Sequence, residues 1–167
     1  MLKQILARLS QPFAVILPVH ILQKKFYTGY IQVPGIATGA AYASGDAVGT
    51  RFSFQVPKSG TISVATYLDR DDEGLEVDLV LFTKEFIETA DNSAFAITDA
   101  DLQSFLTTIT FATFKNFANN QTSVAAALGL DFIAPDRSVW AQLVARGALN
   151  IAADNFPQFS LTGVSDE

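Results

Sequence analysis

The feature that most constrains this chain is a series of short alternating runs, each closed by a turn signal. Arg51–Val56 reads RFSFQV, with Phe52, Phe54 and Val56 on one face, and Pro57-Lys58-Ser59-Gly60 ends it. A period of two puts every second side chain on the same side of a strand. Thr61–Leu68 alternates again and predicts Ile62, Val64 and Thr66 on a shared face. In Glu76–Phe82, Val77, Leu79 and Leu81 fall together while Val80 and Phe82 point the other way. Apolar residues on both sides predict a strand buried on both faces, central to a sandwich or near an interface. Leu106–Phe114 sets Ile109 and Phe111 on one side with Thr107 and Thr113, and Val139–Ala145 and Phe159–Val164 complete the set. Ser123–Ile133 is ambiguous: Ala125–Leu128 suits a helical turn, and Leu130–Ile133 suits a strand. Turn signals at Asp91-Asn92, Asn119-Asn120 and Pro135-Asp136 separate these runs, and Thr98 is placed to cap a short helical turn at Asp99–Asp101.

Strands joined by short turns, with no βαβ alternation, predict an all-β fold: a β-sandwich of jelly-roll-like form. At 167 residues one domain plus an appendage is expected, and folding at this size buries roughly 70% of the unfolded surface.

The appendage is predicted from charge. The first acidic residue is Asp46, preceded by Lys3, Arg8, Lys24 and Lys25; from Asp46 onward seven cations stand against 17 acids, a balance of −10. Leu2–Leu9 carries apolar residues at helical spacing and is closed by Pro12, whereas Phe13–Leu22 and Phe26–Val33 read as extended. These stretches predict an extended N-terminal arm over residues 1–35 and a β-sandwich domain over 36–167. Its candidate contact residues, toward a partner or a second copy, are Phe13, Val15, Ile16, Val19, Phe26, Tyr27, Tyr30 and Ile31.

Several function classes are disfavoured. The run Phe13–Leu22 is interrupted by Pro18 and His20, and spanning a bilayer takes about 20 apolar residues, so no membrane partner is expected. No small-residue cleavage site follows it convincingly, so a docking arm is expected rather than a secretory signal. The acidic body repels phosphates, and four cations are too sparse for a nucleic-acid arm. Charged residues make up only 17% and apolar residues 49%, against about 25% charged in an ordinary soluble domain. That balance predicts apolar surface covered by partners or by self-association.

Catalytic vocabulary is thin. Cysteine is absent, which excludes disulfides, thiolate catalysis and Cys-ligated zinc. The single histidine, His20, sits in an apolar run with no nucleophile-elbow pattern to accompany it. Asp69–Gly74 (DRDDEG) looks like the first half of a calcium loop, but the twelfth position, where a bidentate acid is needed, is Val80. A solvated turn is the expectation there. Trp140 and the tyrosines are the residues available for a sugar groove, yet Trp140 lies in the apolar run Val139–Val144. Asn120-Gln121-Thr122 fits the N-glycosylation pattern and is expected to be a turn. No catalytic, cofactor-binding or metal-binding residue is assigned, and no enzyme is expected.

Five segments carry a family likeness: Tyr42–Gly49 (YASGDAVG), Val77–Phe82 (VDLVLF), Asp91–Phe95 (DNSAF), Thr98–Leu102 (TDADL) and Trp140–Gly147 (WAQLVARG). Together they resemble small virion proteins of tailed bacteriophages, of the head decoration (cement) type. The likeness spans roughly Tyr42–Val164 and rests on turns and core strands. It implies a β-sandwich that binds the major capsid protein on the outer surface of an assembled head, as a homo-oligomer, commonly a trimer, and tightens contacts between capsomers. A tail, baseplate or head-fibre component, or a carbohydrate-binding domain on the virion surface, is the alternative.

Overall fold

In a computed structural model of the chain, residues 23–37, 39, 41–152 and 154–167 are described. Their strands are β1 (Lys24–Tyr27), β2 (Ile31–Gln32), β3 (Ala47–Gln55), β4 (Ser59–Asp69), β5 (Val77–Phe82), β6 (Phe105–Phe111), β7 (Lys115–Asn116), β8 (Gln121–Ile133), β9 (Ser138–Ala145) and β10 (Gln158–Ser165). A 3₁₀ turn, Asp101–Ser104, precedes β6. Thr98 closes the tight turn before it, accepting the Asp101 amide on its hydroxyl at 3.2 Å, but the 3₁₀ turn itself starts later than expected, with Ala100 at its N-cap and no side-chain cap.

The strands form two antiparallel sheets. The larger runs β1–β10–β4–β8–β7 with β2 also on β10, and the smaller runs β3–β9–β5–β6. With β1 and β2 taken as one interrupted strand, and the two-residue β7 set aside as the short antiparallel partner of β8, this is the order of an eight-stranded jelly roll. The fold is therefore an all-β sandwich. Its inner layer is strongly aromatic. Phe159 stacks on Tyr67 at 4.7 Å and on Phe52 at 6.2 Å, and Phe111 closes on both Tyr67 and Phe159. Such rings each bury on the order of 150–250 Å² and supply much of the hydrophobic stabilisation.

Two bulges change the faces that alternation predicts. In β4 the pairing with β8 slips between Ile62 and Val64. Ile62 stays in the core with Ala65 and Tyr67, while Val64 and Thr66 turn outward, so the three residues expected together are divided. One extra residue in a strand exchanges the two faces. In β8 the helical alternative is not realised: Gln121–Ile133 is one strand. Ala127 and Gly129 take positive φ, 56° and 58°, and mark its irregular stretch.

The stretch 24–32, expected as part of the arm, is hydrogen-bonded to the same chain. Lys24–Tyr27 registers against Ser165–Thr162, and Ile31–Gln32 against Phe159–Gln158. Gly163 makes this possible. A Cβ there would collide with the Thr61 carbonyl oxygen and come within 2.7 Å of the Phe26 ring. The missing side chain lets Phe26 lie over β10 and meet Phe132 edge-on at 5.9 Å. The expected boundary at residue 35 thus falls after two strands that belong to the large sheet, and expectations for residues 1–22 lie outside the described residues.

Candidate docking surface

Each sheet has an outer face, and the two are treated differently. On the small sheet, Val80, Phe82 and Val144 point outward and are covered by Phe86, with Phe95 and Ile97 packed alongside. Phe86 stacks on Phe82 at 4.0 Å. Buried Gln142 pins this cover: its amide donates to the carbonyls of Thr89 at 2.6 Å and Gly49 at 3.1 Å, and its oxygen accepts the Thr89 amide at 3.0 Å. Asp91 adds a second pin, accepting from the Gly49 amide, the Ala37 amide and the Tyr42 hydroxyl. Burial and the Asp91 carboxylate together push the Tyr42 phenol well above its ordinary range. This explains why β5 is buried on both faces, as its sequence predicts.

The large sheet has no such cover among the described residues. Its register defines rows of outward side chains. Tyr27, Thr162, Val64 and Ala126 form one row, and Ser160, Thr66 and Val124 form the next; Tyr27, Ala126 and Val124 are exposed, Thr162, Val64 and Thr66 half-buried, and Ser160 buried. Neither row contains a charge. Charges come only toward the ends, with Lys25 and Asp131 in the row of Val164 and Thr61 and with Lys115 beside Thr122. Val124 is 54% exposed. An uncharged face rich in Thr and Val is suited to packing against another surface.

Of the expected contact residues, Phe26 and Ile31 pack partly into the core, and Tyr27 and Tyr30 are exposed. The two tyrosines meet edge-to-face at 6.3 Å. Phe13, Val15, Ile16 and Val19 lie outside the described residues, as does His20. The outward residues of β4, β8 and β10 were not foreseen as a surface. The alternation in β8 carried part of the signal, but the bulges hid which residues share a side.

The acidic loop after β4 is occupied by its own chain. Asp69 accepts the amides of Asp71 and Gly74 and the side chain of Gln121; Asp71 accepts the Ala152 amide and Asn155; Glu73 accepts the Asn150 amide. These carboxylates tie the loop to residues 150–155 rather than standing free toward solvent. Their charge, after burial, raises the Tyr67 phenol well above its usual value. Among the described residues no cluster of three or more His, Cys, Asp or Glu is arranged to hold a metal ion. Trp140 is half-covered, with the Arg51 guanidinium 5.7 Å from its ring centre, and Arg51 is in turn paired with Glu85. That ring does not stand open as a sugar platform.

Two hollows open at opposite ends of the large sheet. One, of about 560 Å³, lies among Gly60, Asp131, Phe132, Ile133 and Asp166. The other, of about 420 Å³, lies among Leu68, Asp69, Arg70 and Gln121. In the first the Thr61 hydroxyl donates to the Asp131 carboxylate at 2.6 Å, but no third side chain among the described residues hydrogen-bonds that carboxylate to orient it, as an activated nucleophile–base pair has. No family model, curated protein or solved structure matches the chain. Among the described residues, no helix is long and apolar enough to cross a membrane.

Proposed function

We propose that this chain is a non-enzymatic structural protein of a tailed-phage virion, a decoration protein on the outer surface of the head. It would bind the major capsid protein, act as a homo-oligomer and hold capsomers together, without nucleic acid, membrane or cofactor. The observation that carries this reading is the outer face of the large sheet, which no described loop covers and which is uncharged through its two central rows. A jelly roll also serves lectins and cupins, and fold alone does not choose among them. The choice rests on the site: a packing surface and no reactive constellation among the described residues. The segments around Tyr42, Val77, Asp91, Thr98 and Trp140 that resemble decoration proteins add to it.

Co-sedimentation of the purified chain with undecorated capsids tests the reading. Saturable binding that raises the temperature at which the capsid breaks is expected. Absence of binding, or localisation to the tail or a head fibre in a particle reconstruction, would replace it with the tail-component alternative. One observation favours a second reading, a carbohydrate-binding domain on the virion: the exposed Tyr27–Tyr30 pair. It predicts glycan-array binding that Tyr27→Ala removes, and a flat array would discard it.

A further inference from the structure

We infer that β6, the open margin of the small sheet, pairs antiparallel with β6 of a second copy across a two-fold axis, so that two small sheets become one. The inference goes beyond the virion reading and does not depend on it. A strand at the margin of a sheet presents a row of unpaired amides and carbonyls, and proteins blunt such margins with charge, bulges or covering loops. Among the described residues, three of the four margins are blunted. β1 carries Lys24 and Lys25. β8 is bulged at Ala127 and Gly129, both at positive φ, where Leu130 to Ala126 spans only Ile62 to Val64 of β4. The margin of β3 is closed: the Ala47 amide donates to the Ser93 carbonyl and that of Thr50 to Pro34, while the Gly49 and Arg51 amides donate to the carboxylates of Asp91 and Glu88.

β6 has none of these devices. It pairs with β5 alone, and no backbone bond closes its other side among the described residues. Phe105–Phe114 reads FLTTITFATF, with no charge and no proline, a composition that favours extended pairing. Thr108 and Thr110 are exposed, and Phe105 at the start of the strand is 42% exposed. A second copy fits this margin better than a foreign strand. Side-chain pockets give strand addition its specificity, and neither hollow of the large sheet includes a residue of β6. The net charge of −6 sets copies against each other, and an uncharged margin is where they approach at least cost. In an antiparallel pair of identical strands one residue faces its own copy. With Thr108 at the axis, Thr107 faces Ile109 and Leu106 faces Thr110, and no like charges are opposed. Such a pair uses up the open margin, so it closes at two copies rather than growing into a fibre.

Sedimentation equilibrium of the full chain should show a dimer, twice 18.0 kDa. The absence of cysteine makes a crosslinking test clean. Thr107→Cys, Thr108→Cys and Thr110→Cys are made singly, with Val124→Cys on the large sheet as the control, and each is oxidised. Directly opposed residues of an antiparallel pair lie about 4.5–5.5 Å apart at Cα, within disulfide reach. One of the three β6 variants should therefore link two copies at least about tenfold faster than the control. Replacing that threonine by Lys, or by Glu, should weaken the dimer at least about tenfold, and mixing the two variants should restore it. Recovery on mixing is a result that a folding defect does not give. A parent that stays monomeric at every concentration overturns the inference. A dimer or trimer indifferent to both substitutions, linking no faster at β6 than at Val124, or a dimer lost without recovery on mixing, overturns it too. Capsid binding is measured separately, so either reading can fail while the other stands.

Discussion

The two outer faces of this sandwich differ: among the described residues a loop covers the small sheet, and none crosses the central rows of the large one. On the small sheet, residues 83–100 fold across β5 and β9, and Phe86 stacks on Phe82. The polar groups of that cover are met by Gln142 and Asp91, and among the described residues no buried side-chain nitrogen or oxygen lacks a partner. On the large sheet the central rows hold Thr, Val, Ala, Ser and Tyr, with no described segment across them. A buried sheet face needs apolar cover and satisfied amides together. The small sheet has both from its own loop. The large sheet has a face of suitable chemistry, and on the proposed reading a capsid supplies the rest.

The sharpest way to break this comparison is through the core that both sheets share. Phe159→Ala removes a ring that contacts Tyr67, Phe52 and Phe111 and should cost about 3–5 kcal/mol. Urea unfolding measures it, and a loss below that range would mean the sheets close over the gap. Next comes the cover itself. Gln142→Leu leaves the Thr89 amide and two carbonyls without partners, at about 1–3 kcal/mol for a buried group left unmade. Amide exchange should then quicken in residues 83–100 while the large sheet keeps its protection. Uniform quickening would show that the cover and the sandwich unfold as one unit.

The outer face of the large sheet predicts the reverse pattern. Val64→Lys with Val124→Asp places charges in both central rows; exposed Val124 should tolerate its change within about 0.5 kcal/mol, and half-buried Val64 should cost about 1 kcal/mol. Capsid binding should nevertheless be lost. Retained binding would move the contact elsewhere, to the N-terminal segment or the Tyr27–Tyr30 corner. A deletion meant to test the N-terminal segment should stop at residue 22, because removing Lys24–Gln32 strips two strands from β10 and would confuse docking with folding.

Much of this was legible from alternation. Phe52, Phe54 and Val56 point inward as a set, and β5 is buried on both sides as its two apolar faces require. What alternation does not carry is the extra residue. The slip after Ile62 sends Val64 outward, and without it the uncharged rows cannot be assembled on paper. The cover over the small sheet was hidden for another reason. Residues 83–100 have no period, because Phe86, Phe95 and Ile97 reach the sheet from loop rather than strand. The partner of Lys24–Tyr27 was hidden in a third way, since it depends on the absent side chain of Gly163, far along the sequence. The acidic loop shows the opposite case: its residues were legible as a cluster, and only the structure shows their oxygens engaged by amides from residues 150–155.

The smallest effect at neutral pH separates the two faces by titration. Tyr42 belongs to the pinned cover and Tyr67 to the sandwich core, and both phenols are raised above the ordinary 10.0 by burial first and nearby carboxylates second. In the unfolded chain they lose their protons near pH 10, while the folded chain keeps them. The unfolded state then binds fewer protons, so stability falls as pH rises above about 10 and is complete below it. Each tyrosine contributes a slope of about 1.4 kcal/mol per pH unit over that window. Tyr67→Phe removes one such slope and leaves that of Tyr42, with the lysine titrations common to both proteins. Urea midpoints between pH 8 and about 11 for the parent and Tyr67→Phe should run parallel below pH 10 and converge above it. Parallel behaviour throughout would mean that Tyr67 gains solvent before the sandwich unfolds, and that the large sheet opens at its acidic-loop end.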